Sequence, residues 1–283
     1  MWQDSLLSIT HDRALSTPIL PHHQRRPVSL MGLSYVDCMK ILCTVSLESL
    51  GERSGSLGLQ RELLMIIKRR DQLAAMMRQA SPHLRDVAAC MSMKDQLEYW
   101  NLSMHRSYVT SELYRPTLES TRGTGSPADL QATCVEALAD TLDAFLGLSN
   151  VTSFANLSWA AIHRSLSSAL LLGVLKEPSR NDRVRTLIDR LITVMLEFNT
   201  SADPSEVSTP IVRSVEVLRR FNTPAAEMAP SMESLSPMDK PKSSLSALES
   251  AIASSASGNL YEGSPYSLMN RIIWSNNPHM PPS

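Results

Sequence analysis

Apolar side chains recur at helical spacing in seven separate stretches of the chain, and no stretch alternates as a half-buried strand would. Residues 34–50 place Cys38, Ile41, Leu42 and Val45 on one side, before the glycine- and serine-bearing "GERSGSLG" interrupts them. Residues 61–80 repeat Leu63, Ile66, Ile67, Leu73, Met76, Met77 and Ala80 with lysine and arginine between, and stop before Pro82. Residues 92–116 open on Ser92 with Asp95 three positions on, an N-cap with a supporting acid. Met93, Leu97, Trp100 and Met104 follow, and Pro116 is expected to end the helix. Residues 128–148 align Leu130, Cys134, Leu138, Leu142 and Phe145.

The fifth stretch is "WAAIHRSLSSALLLGVL", residues 159–175. Ser158 is its expected N-cap, with Leu157 and Ile162 placed as a hydrophobic staple. Trp159, Ile162, Leu166, Ala169, Leu170 and Gly173 form one face, and His163 and Arg164 fall largely outside it. Together with Trp100, the residues Trp159, Ile162, Leu166 and Leu170 are the expected structural core. Residues 181–198 repeat the pattern through Val184, Leu187, Ile188, Leu191, Ile192 and Met195. Residues 209–221 begin with Thr209 as cap and Pro210 at the first helical position.

This pattern predicts an all-α fold of about seven helices over 34–221. An irregular proline-bearing segment, 1–33, precedes it, and a Ser/Pro-rich tail, 222–283, expected to be disordered, follows it. Within the tail, "SLMNRIIW" gathers Leu268, Met269, Ile272, Ile273 and Trp274, a run that a partner could order as an amphipathic turn or two.

Composition narrows the function classes. A formal net charge of −1 gives no overall basic field for nucleic acid. With aromatics at only 5%, Leu, Met and Ala carry the core, which suits helix packing. Cys38, Cys43, Cys90 and Cys134 are scattered, form no Cys-x-x-Cys pair, and suit a reducing compartment. No charged and apolar leader opens the chain, and no apolar run approaches the roughly 18 residues of a membrane span.

Candidate chemistry is sparse. His163 and Ser167 are four apart and could touch, but a triad also needs an orienting acid and an oxyanion hole, and no Gly-x-Ser-x-Gly elbow is present. The glycine-bearing loops lack a phosphate loop's Gly-Lys-Ser/Thr ending. Cys38 and Cys43, five apart on a helix, share a face poorly, and His11, His22 and His23 lie in the irregular segment. No catalytic, cofactor or metal residue is therefore expected. Ser236 and Ser264 precede prolines in the tail and are candidates for phosphorylation or simple turn formers.

Two stretches carry a family resemblance. "QLEYWNL" with "SYVTSELYRP", and "SW..IHRSLSSALLLGVL" with "RN.RVR", resemble the regulatory middle region of fungal zinc-cluster transcription factors, over about residues 61–198. The resemblance implies an all-helical regulatory domain in the nucleus that works through contacts with other proteins, and a tail that serves as an activation segment. In that family a DNA-binding part holds two zinc ions on six closely spaced cysteines, and four scattered cysteines cannot supply those ligands. The expectation is a non-enzymatic transcription regulator without its own DNA binding. Its partners would be proteins of the transcription machinery or a full-length family member, with no membrane. A helical scaffold unrelated to transcription and a helical-bundle enzyme are the alternatives.

Overall fold

The computed structural model describes residues 32–53, 59–119, 128–201, 209–222 and 265–274, and these are helical with no strand beyond one isolated bridge. The helices are α1 (Tyr35–Arg53), α2 (Leu59–Gln79), a single turn α3 (Pro82–Arg85), α4 (Met93–Glu119), α5 (Ala128–Val151), α6 (Trp159–Val174), α7 (Asp182–Ser201), α8 (Thr209–Asn222) and α9 (Pro265–Trp274). The all-α expectation holds. The irregular segment 1–33 up to residue 31, and the tail apart from Asn222 and 265–274, fall outside the described residues, and His11, His22, His23, Ser236 and Ser264 with them.

Two of the expected caps form, at Ser92 and Ser158. The Ser92 hydroxyl accepts from Asp95 N at 3.1 Å, and the Asp95 carboxylate accepts from Met91 N at 3.1 Å, closing a reciprocal cap on α4. That hydroxyl also holds the Asp95 carboxyl below its usual range. Ser158 caps α6 through Ala161 N at 3.4 Å. The staple does not form, because Leu157 is exposed.

Pro116 does not end α4. The helix continues to Glu119 with the proline inside it. A proline removes one backbone donor, and tertiary packing outweighs that loss in the final turn. There Leu118 is buried, Thr117 Oγ donates to Tyr114 O at 2.7 Å, and Gln131 Nε2 of α5 donates to Thr117 O at 3.1 Å.

The chain divides into two compact units, one ending at Ser168 and the other starting at Ala169. In the first, α4 and α5 form the main helical pair, and α1, α2 and α3 pack against α4. Small residues set the closeness of the pair: a Cβ on Gly147 would stand 2.4 Å from the Trp100 ring. Before α1, Leu33 N donates to Gln79 O at 2.7 Å and Ser81 N donates to Leu33 O at 3.0 Å, clasping the start of α1 to the end of α2. In the second unit, α8 packs on α7 and α9 packs on α8. Here a Cβ on Gly173 would meet the Phe221 ring at 2.1 Å.

The expected core is partly redistributed. Ile162, Leu166 and Leu170 are buried. Trp159 is 36% exposed, because it opens the first turn of α6 and packs its ring beside His163, 5.8 Å between centroids. Trp100 is half-buried, set edge-on to Tyr99. Met93, the first stripe residue of α4, is exposed on the first turn.

The run 265–274 is helical and its apolar face is covered. Leu268, Met269, Ile272 and Ile273 are buried where α9 meets α8, so in this conformation they are packing residues and not a free partner-binding face. Trp274 closes α9, and its side chain lies outside the described residues.

Candidate functional site

Two features of the first unit could serve function. The first is a groove of about 600 Å³ between α2, α4 and α5. Leu73, Ala74 and Met77 of α2 form one wall, Ser107 and Thr110 of α4 another, and Ala132, Thr133 and Ala137 of α5 the third. Arg70, Arg106, Glu136 and Asp140 also line it. Small side chains leave room for close approach, and the charged groups mark it as a contact surface of mixed sign.

The second is a buried polar centre where α6 meets α4. His163 and Arg164, expected largely outside the apolar stripe, are 4% and 2% exposed. Every residue of α6 from Ala161 to Gly173 is buried, so the stripe has no solvent side to leave them on. Arg164 Nη1 lies 3.0 Å from His105 Nδ1, and the guanidinium carbon sits 5.4 Å from the Tyr108 ring centroid, in cation–π contact. Arginine has only donors, so Nδ1 accepts and the His105 proton sits on Nε2. Burial holds His105 well below the usual histidine range, and the neighbouring Arg164 charge adds to the effect.

The His163–Ser167 pair does come together, with Ser167 Oγ 3.4 Å from His163 Nδ1. Both side chains are buried, so a solvent-borne substrate does not reach the hydroxyl in this conformation. The thiols of Cys38, Cys43 and Cys134 are buried as well. Burial pushes Cys38 and Cys43 up to about 11 and raises Cys134 further, which keeps them protonated and poor nucleophiles at neutral pH. Among the described residues no group of three or more His, Cys, Asp or Glu is placed to hold a metal ion, and no helix is long and apolar enough to cross a membrane.

Comparison with family models, curated proteins and solved structures gives no match. What this chain does must therefore be argued from its own residues.

The sequence pattern brought out Ile162, Leu166 and Leu170 but not the Arg164–His105 centre. One signal could have found it. Apart from His163 and Arg164 themselves, the residues between the apolar positions of α6 are alanines and serines with no acid among them, which is the composition of an enclosed helix.

Proposed function

We propose that the chain is a nuclear transcription regulator of the fungal zinc-cluster kind, acting through protein contacts and not through its own DNA binding. The observation that carries the reading is the groove. Its α2 and α4 walls come from the stretch "RRDQLAAMM" and the helix of "QLEYWNL" and "SYVTSELYRP", part of the same segment that resembles the family's regulatory region. Its mixture of small apolar floor and charged residues suits a protein partner better than a phosphate backbone, which would call for a uniformly basic surface. The partners are proteins of the transcription machinery or a full-length factor that supplies the zinc cluster.

Fusing the full chain to an unrelated DNA-binding module and reading a reporter tests this. The expected result is a change in output relative to the module alone, lost when the groove is filled by Ala74→Trp at an exposed position of α2. Output indistinguishable from the module alone would sink the reading, as would sequence-specific DNA binding at nanomolar affinity by the purified chain.

A further inference from the structure

Among the described residues of the first unit two arginines are buried, and their surroundings differ. Arg69, 3% exposed, pairs with the Glu48 carboxylate and reaches Gln72 Oε1 at 3.1 Å. Arg164, more deeply enclosed, has no carboxylate within ion-pair distance among the described residues; its contacts are the His105 nitrogen and the Tyr108 ring. Its Nε is buried with no hydrogen-bond partner. A guanidinium keeps its charge in proteins, so it cannot escape this position by losing a proton.

A second orphan lies one helical turn further along α6. Ser168, fully buried, has a hydroxyl with no partner. Other buried hydroxyls on these helices bond back to their own turn: Ser46 to Leu42 O, Ser49 to Val45 O, Thr141 to Ala137 O and Ser165 to Ile162 O, all between 2.7 and 2.8 Å. Ser168 does not. It lies four residues from Arg164, one turn on and on the same side of α6. The unmet groups are thus a guanidinium N–H and a hydroxyl on residues one helical turn apart, with the neighbouring His105 neutral and carrying its proton on Nε2. The centre bears net positive charge, and what it lacks is an acceptor.

We infer that Arg164 and Ser168 form a binding site for a carboxylate. One carboxylate oxygen takes the Arg164 Nε hydrogen and the other takes the Ser168 hydroxyl hydrogen, while Nη1 stays on His105. The occupant would satisfy both orphans at once and neutralise the buried charge, as Glu48 neutralises that of Arg69 through Nη1. Arginine favours carboxylates over spherical anions because its planar fork matches two oxygens. A site this enclosed exchanges its occupant through local opening of the helices around it.

Thermal melts of the full chain in formate, at constant ionic strength, test the inference. A saturable rise of about 3 °C or more is expected in formate and not in matched chloride. In Arg164→Met the formate response should vanish, and the ligand-free variant should melt at or above wild type, since it removes an uncompensated charge. Ser168→Ala removes a single oxygen and should weaken the formate response several-fold without loss of fold. It carries the test if Arg164→Met does not fold. An equal rise in chloride, no saturable rise, or a formate response retained in both variants would overturn the inference.

Discussion

Helix α6 is buried on all sides from Ala161 to Gly173, whereas α7 buries Val184, Leu187, Ile188, Leu191, Ile192 and Met195 and leaves Arg185, Thr186, Asp189 and Arg190 in solvent. Along the sequence the two carry similar apolar repeats. They differ in what stands between. In α7 those positions are mostly aspartate and arginine, which only solvent can accommodate cheaply; in α6 they are mostly alanine and serine, which any environment accepts. A helical repeat identifies a face that must be buried. It leaves the other face undetermined until the intervening residues are weighed.

The largest expected effect tests the shared part of the two helices. Leu166→Asp puts an unpaired charge into the enclosed stripe and should cost about 4 kcal/mol or more, abolishing a cooperative melt by circular dichroism. A variant that melted like wild type would mean that α6 is not enclosed.

The sharper test compares polar positions. Ser165 is fully buried and its hydroxyl is satisfied within α6, while Thr193 is an exposed hydroxyl on α7. Ser165→Asp should cost about 3 kcal/mol and Thr193→Asp within about 0.5 kcal/mol. Equal costs in denaturant titrations would erase the distinction between the helices.

Acid should weaken the surroundings of α6. His105 is held well below the usual range by burial first and by Arg164 second, so the unfolded chain takes up its proton at a pH where the folded chain does not. Stability therefore falls as pH drops below about 6.5, by at most about 1.4 kcal/mol per pH unit from this group. His105→Asn, which keeps an acceptor toward Arg164, should flatten that slope between pH 6.5 and 5. An unchanged slope would remove His105 from the account.

The smallest effect concerns the small residues themselves. Gly173→Ala forces the Phe221 ring to move, and the clash should outweigh the helix-propensity gain of alanine to leave a net loss of about 1 kcal/mol. A net gain in melting temperature would show that the ring swings aside freely.

Legibility in the sequence followed the range of the interactions. The caps at Ser92 and Ser158 were readable because a cap is satisfied within one turn of itself. Pro116 misleads because Leu118 is buried by the fold and Thr117 O takes its bond from Gln131 of the next helix, neither of which the local sequence shows. His163 and Arg164 were misplaced for the same reason: what encloses them is other helices, invisible to a periodicity argument. Trp159 was expected inside on hydrophobicity alone, and its place on the first turn of α6 left it partly outside. In the polar centre, Arg164 and His105 are 59 positions apart in the chain, and no spacing rule joins them.

Helix α9 is ten residues long, too short to hold its shape in water without a surface to lie on. It rests on α8, to which it is joined through residues 223–264. Such a connection fixes how often α9 meets its seat, at an effective concentration far above that of any free peptide at cellular levels. A single cut in that connection would turn an intramolecular encounter into a bimolecular one without touching a single contact, and at low protein concentration α9 would leave its seat and lose its helix together.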